Sequence, residues 1–276
     1  MTQITASLVK ELRDATNLGM MECKKALVDS DGDKDKAIQL LREKGQIAQE
    51  KRAGRDTTQG VIASGLDGSK VGTLVQISCE TDFVSKNEKF QGYVQEIATR
   101  AVGIEGDLGE AIADDLTNMV HEIGENIVLS NSDRYEVSGT GAIASYIHLG
   151  GRVGVLIEVS CGNDATVEQA AFAEVVKDLN LHIAACNPAY LNRDEVPADI
   201  VAAEREIYAK QVEGKPAEIL DKIVDGKMNK FFAQSCLLDQ GFVKDDSQSI
   251  SDLLASVGKD LGDELGIRRF VRYEVG

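Results

Sequence analysis

The chain has 276 residues, 43% of them apolar, which allows two or three modest domains with real cores and argues against a disordered protein. Its formal net charge of −16 (pI ≈ 4.7) disfavours direct RNA or DNA binding by the whole chain, because such affinity comes largely from cations that displace phosphate counterions. No stretch approaches the roughly 20 apolar residues of a membrane span, and five singly placed cysteines indicate neither a disulfide framework nor a zinc knuckle, so a reducing, cytoplasmic setting is expected.

Along the chain, Thr5-Ala6-Ser7 offers caps for a first helix with Leu8, Leu12 and Ala15 on one face. Gly19 or Met20 opens a second, through Ala26-Leu27-Val28. After the break at Asp31-Gly32-Asp33, a third is driven by Ala37, Ile38, Leu40 and Leu41. Three short helices share only a small core, so this module is expected to borrow stability from a neighbour or a partner. The polar run from Glu50 to Gln59 reads as a linker. Lys44, Lys51, Arg52 and Arg55 gather there, but Glu43 and Glu50 interleave with them and no aromatic residue accompanies them, which describes a solvated helix end.

From Gly60 the period becomes alternating. Val71, Thr73, Val75 and Ile77 fall on one side of a strand, Leu74 and Gln76 on the other, and the turn at Gly65 to Ser69 makes a hairpin with a strand at Val61 to Ser64. A helix follows with Phe90, Tyr93, Val94, Ile97 and Ala98, then another across Leu116 to Ile123. The pattern then recurs. Gly60-Val61-Ile62-Ala63-Ser64 returns as Gly141-Ala142-Ile143-Ala144-Ser145, and Val71 to Asp82 returns as Val153 to Asp164. A second helix carries Ala171, Phe172, Val175, Val176, Leu179, His182 and Ile183. Between about 198 and 239, Ile200, Ala203, Ile207 and Val212 precede Gly214-Lys215-Pro216, and Ile219, Leu220, Ile223, Val224, Met228 and Phe231 follow it, the signature of an antiparallel helical hairpin. Ile267 to Val275 alternates like a half-buried strand. Strands segregated from helices in this way predict an α+β fold with antiparallel sheets. The boundaries are 1–55 for the helical module and linker, 56–140 for a first core subdomain, and 141–276 for a second that carries the hairpin.

Catalytic constellations are sparse. His121, His148 and His182 are far apart, and no nucleophile elbow, phosphate-binding loop or zinc-protease pair occurs; no cofactor or metal is expected. Gly150-Gly151-Arg152-Val153-Gly154 sits in a hairpin and reads as a turn. His182 and Cys186 share a helical face, yet two ligands do not make a site, so His182 is read as a core histidine. Asp82 and Asp164 recur in equivalent positions and are read as capping or turn residues. The copies diverge where the strand ends: the first continues Phe83-Val84-Ser85-Lys86, the second Ala165-Thr166-Val167-Glu168. Whatever the first copy does alone therefore lies at Thr81-Asp82-Phe83-Val84. A core fate for Phe83 competes with an outward one, but Ala165 stands in its place in the other copy. Met20 and Met21 point about 100° apart on a helix, so one is expected in the core and the other free to meet a partner.

Two stretches make the chain recognisable. Met20-Met21-Glu22-Cys23-Lys24-Lys25-Ala26-Leu27, preceded by Lys10-Glu11-Leu12-Arg13 and Thr16, and Ile77-Ser78-Cys79-Glu80-Thr81-Asp82-Phe83-Val84-Ser85-Lys86 resemble both signature motifs of the bacterial translation elongation factor Ts family. The resemblance extends over the whole chain, through Ile123-Gly124-Glu125-Asn126-Ile127, the His148 to Val155 hairpin and Gly214-Lys215-Pro216. It implies a ubiquitin-associated-like N-terminal domain, a core of two related subdomains and a protruding hairpin that allows a homodimer. It also implies a partner, the GTPase elongation factor Tu, and a guanine-nucleotide exchange role without enzymatic chemistry. By resemblance, Phe83 with Thr81 and Val84 wedges between helices of the GTPase domain, and Asp82 perturbs the partner's Mg²⁺ region. Ile123 and Gly124 pack beside the wedge, Met20 and Met21 grip the same domain, and His148 reaches a separate one. Two departures are visible: Asn17-Leu18-Gly19 stands where Gly-Ala-Gly is frequent, and the chain ends at Gly276, so the contact made by a further C-terminal helix in many members is expected to be absent. Two other readings stand beside this one. A ubiquitin-associated-like adaptor would dock peptides through residues 1–55, with the core as scaffold only. A thiol redox protein would use Cys79, but Cys161 repeats that residue in the second copy and no base lies near either.

Overall fold

The computed structural model describes residues 4–16, 18–212 and 217–276, without the side chains of residues 46, 48–50, 217 and 218. Its N-terminal part is three helices, α1 (Ala6–Thr16), α2 (Met20–Asp29) and α3 (Lys34–Arg52). They close over Val9, Leu12, Leu18, Cys23, Ala26, Leu27, Ala37 and Leu41. The buried face of α1 is turned from the expected one: Val9 joins Leu12 inside and Ala15 is exposed. The third helix also runs past Glu50 into the stretch read as linker. Its last turn is fixed from outside, where Arg52 Nε donates to the Gly124 carbonyl at 2.9 Å. Asn17, and with it part of the departure before the double methionine, lies outside the described residues.

Next come β1 (Gln59–Asp67), β2 (Val71–Cys79), α4 (Asp82–Ser85), α5 (Glu88–Ala101), α6 (Leu108–Ala111), α7 (Ala113–Ile123) and β3 (Ile127–Glu136). The three strands form an antiparallel sheet in the order β1-β2-β3. The second copy follows with β4 (Gly141–His148), β5 (Val153–Ser160), α8 (Asp164–Val167), α9 (Ala170–Cys186), α10 (Ala198–Gln211), α11 (Ala217–Ser235), β6 (Gly241–Phe242), β7 (Asp245–Ser249), α12 (Ile250–Leu261) and β8 (Gly266–Glu274). Its sheet runs β4-β5-β8, so β8 matches β3 and α12 matches α7. Even the irregularity repeats: the register shifts between Gln76 and Ile77 in one copy and between Glu158 and Val159 in the other.

Alternation along β2 separates two cores. Val75 and Ile77 join Phe90, Val94 and Ile97 of α5 and Met119 and Val120 of α7. Leu74 points the other way with Ile62 and meets Ile143 and Leu156 of the second sheet. Both faces of this strand are therefore buried, and the two sheets are joined through their backs. The second copy builds its own core from Val155, Ile157 and Val159 against Phe172, Val176 and Leu179. His182 lies in it as a core residue: Nδ1 accepts from the Val243 N–H at 3.2 Å, and the Nε2 position pairs with Gln240 Oε1 at 2.9 Å. Those partners require the neutral ring with its proton on Nε2.

Helices α10 and α11 form the expected pair and pack on each other through Val212, Val224 and Met228, a cluster separate from the two main cores. The turn Gly214-Lys215-Pro216 falls outside the described residues. No helix among the described residues is long and apolar enough to cross a membrane.

Candidate functional site

Where β2 ends, the antiparallel ladder ends with it, at the pairs of Cys79 with Gln59 and Ile127. The next amides need other partners. Glu125 supplies them. Its Oε2 accepts from Glu80 N–H at 3.0 Å and Thr81 N–H at 3.1 Å, and its Oε1 accepts from the Thr81 hydroxyl at 2.6 Å. Glu80 answers by accepting from Asn126 N–H at 2.6 Å and pairing with Arg55 at 3.2 Å. The Thr81 hydroxyl also accepts from Val84 N–H at 3.4 Å, which caps the single turn of α4.

That turn divides the motif. Thr81 holds the backbone and Val84 packs partly against the first core, while Asp82 and Phe83 face outward. The Phe83 ring is 83% exposed, the most of any large apolar side chain among the described residues. Of the two roles that its recurrence suggested, capping or turn, Asp82 has the second, as the opening residue of the single turn α4. Thr81 and Asn163 fill the cap position, and the aspartates follow as first helical residues, favourable beside the helix N-terminus. Lys86 Nζ binds Asp82 at 2.6 Å, and this bond holds the Asp82 carboxyl below its ordinary range. Downstream the turn is closed by Asn87, which caps α5 through Lys89 and Phe90 N–H, and by Gln91 Nε2 donating to the Ser85 carbonyl at 3.0 Å.

Ile123 packs partly on the first core, and Gly124 ends α7 in the left-handed region at φ 84°, which turns the chain so that Glu125 faces the strand end. On α2 the double methionine departs from expectation. Neither side chain is in the core: Met20 is 57% exposed and Met21 73%, because Leu18, Cys23, Ala26 and Leu27 fill the module. Glu22, beside them, meets His121 Nε2 of α7 at 2.8 Å, so the methionines and Ile123-Gly124 are tied to one helix. His148 sits apart, exposed at the end of β4, stacked on Tyr146 at 5.7 Å and sharing a 2.9 Å hydrogen bond with its hydroxyl.

The second copy reproduces the scaffold without the ring. Asp263 follows the left-handed Gly262 and accepts from Gly162 N–H at 2.8 Å, Asn163 N–H at 3.0 Å and the Thr166 hydroxyl at 2.5 Å. Cys79 and Cys161 donate alike, each to the carbonyl two residues on, at 3.3 Å. Burial, reinforced by the Glu125 charge, pushes the Cys79 thiol up to about 12, which leaves it no thiolate for redox chemistry near neutrality. No cluster of three metal-ligating side chains occurs among the described residues. Glu125 was not singled out from sequence. The usable signal was the duplication itself, since Gly124-Glu125 and Gly262-Asp263 both follow the last helix of their copy.

Fold and site together define an α+β protein of two related subdomains and a helical module that leaves its distinctive side chains, Phe83, Met20 and Met21, exposed to solvent. The family described as Elongation factor TS matches residues 80–276. Elongation factor Ts of Nitratidesulfovibrio vulgaris is 42% identical over 99% of this chain and 96% of its own length, and that of Symbiobacterium thermophilum is 44% identical over 100% and 93%. Elongation factor Ts of Clostridium perfringens is 42% identical over 99% and 93%. The chain belongs to the elongation factor Ts family, whose role is nucleotide exchange in translation elongation.

Proposed function

We propose that this protein binds elongation factor Tu in its GDP-bound form and promotes GDP release by inserting Phe83 beside the Mg²⁺ and phosphate site. One observation carries the reading: an aromatic ring left in water at the tip of a loop whose backbone is fastened on both sides. GTPases hold GDP through backbone amides around the phosphates and through Mg²⁺, so a factor that prefers the nucleotide-free geometry releases the nucleotide without covalent chemistry. Coupling is reciprocal: whatever factor weakens GDP binding weakens the exchange factor's binding to the GDP form equally. In this reading Asp82 disturbs the Mg²⁺ region, Thr81 and Val84 set the wedge, and Ile123 and Gly124 pack beside it. Met20 and Met21 hold the same GTPase domain, and His148 meets another. Residues 1–55 and 56–140 thus face the nucleotide domain, while 141–276 reaches beyond it.

The test is release of a fluorescent GDP from elongation factor Tu, chased with excess unlabelled nucleotide. Wild-type protein accelerates release. Phe83→Ala lowers that acceleration by at least about tenfold, equivalent to about 1.4 kcal/mol of lost coupling. Unchanged acceleration by the alanine variant would reject the wedge.

A further inference from the structure

We propose that Glu125 is a positioning residue for the Phe83 tip: its carboxylate fixes the backbone of residues 80 and 81 and thereby the direction in which the ring is presented. The inference rests on the exchange-factor reading. A wedge that samples many directions loses ordering entropy each time it docks, and a wedge fixed beforehand does not. The loop after β2 has no sheet neighbour to fix it, and α4 is a single turn too short to hold itself. Gln91 fastens the far side of the turn, and on the strand side the Glu125 carboxylate makes three hydrogen bonds to consecutive donors of the strand end while Glu80 accepts one from Asn126. Bonds to an ionised acceptor are roughly twice as strong as neutral ones.

The second copy supplies a built-in control. Asp263 fastens its loop with the same three kinds of donor, yet the tip there is Ala165. The clasp therefore belongs to the fold, and the first copy alone combines it with an aromatic ring. Glu125 also follows Gly124, whose carbonyl receives Arg52 of α3, so the same short segment joins the tip to the helical module.

The experiment compares full-length Glu125→Ala, Glu125→Gln, Thr81→Val and Asp263→Ala in the GDP-release assay, across a range of factor concentrations, with amide hydrogen exchange read on the free proteins. Glu125→Ala is expected to lose protection at Glu80 and Thr81 and to raise the half-saturating concentration about tenfold, the loss of one to two charge-assisted bonds. Glu125→Gln keeps an acceptor for the two amides and recovers most of that loss. Adding Thr81→Val to Glu125→Ala does less damage than the sum of the two single losses, because both remove the Glu125–Thr81 contact and only the α4 cap is lost in addition. Asp263→Ala loosens residues 162–166 and leaves GDP release unchanged. Wild-type release by Glu125→Ala, or an equal loss in Asp263→Ala, overturns the proposal. Absence of acceleration by the wild-type protein instead overturns the exchange reading, and the amide protections still report whether Glu125 fixes the loop.

Discussion

Burying an aromatic side chain stabilises a fold by roughly 1.5–3 kcal/mol, and Phe83 forgoes nearly all of it. Its neighbour Val84 collects part of such a gain against the first core. Truncating each to alanine should therefore separate stability from function at adjacent positions. Phe83→Ala is expected to change unfolding free energy by less than about 0.5 kcal/mol, and Val84→Ala to lower it by about 1 kcal/mol, read from urea titrations. A Phe83→Ala loss of 3 kcal/mol, the size expected for a core ring, would contradict the outward placement. His182 gives a second residue-level expectation, in pH. Burial lowers its pKa below the ordinary histidine value, against a smaller opposing effect from Gln240. The unfolded chain then binds the proton more readily, so the stabilisation is complete above about pH 6.5 and is lost as pH falls through the depressed folded value. Denaturant midpoints at pH 7.5 and 5 should show this fall, and His182→Gln should flatten it.

Among the elements, the turn between β4 and β5 does more than reverse the chain. Its Gly151 carbonyl accepts from Ile62 N–H at 2.8 Å, so the hairpin of one subdomain is bonded to the strand of the other. Gly151 has φ 93°, and a Cβ there would stand 2.8 Å from Val61 and 2.9 Å from the Ile62 carbonyl oxygen. Gly151→Ala is thus expected to cost at least about 2 kcal/mol, from strain at the backbone and from parting the two sheets. Gly150→Ala, with open space around it and a φ of 65°, should cost less by the same urea measurement. The turn was legible from its glycines, and the paired hairpins were legible from the repeat. Strand β3 was not. Its centre, Ser130-Asn131-Ser132, is polar and largely exposed, and it is a strand because β2 pairs with it. The short helix α4 escaped for a related reason, since four residues carry no period, although its threonine cap was within the motif. Of the site, the exposed ring was readable by comparing the copies, but the Glu125 clasp joins residues 44 and 45 positions apart and only the fold brings them together.

At the scale of the molecule, the helical module is seated on the first subdomain along α7. Arg42 pairs with Asp114 at 2.8 Å, Glu22 with His121 at 2.8 Å, and Arg52 reaches the Gly124 carbonyl. The Arg42–Asp114 pair is exposed, and exposed ion pairs contribute about 0–1 kcal/mol each and weaken in salt, so it orients the module more than it holds it. Close packing is the stronger candidate. Gly45 of α3 is buried so tightly on α7 that a Cβ would come within 2.8 Å of the Thr117 methyl. Gly45→Leu is expected to push α3 off α7, while about 1 M salt, which shortens electrostatic range to about 3 Å, should leave the module docked. Amide exchange along Lys34–Arg52 and Ala113–Ile123 distinguishes the two, rising in the leucine variant and changing little in salt. The sheets, which pack through cores of their own, should keep their protection. Because Met20 and Met21 ride on the module and Phe83 on the subdomain, the leucine variant should also raise the half-saturating concentration for GDP release while Phe83 stays exposed and fastened. A variant with the module released and exchange unaltered would mean that the methionines are dispensable, and that the two subdomains carry the interaction without the module.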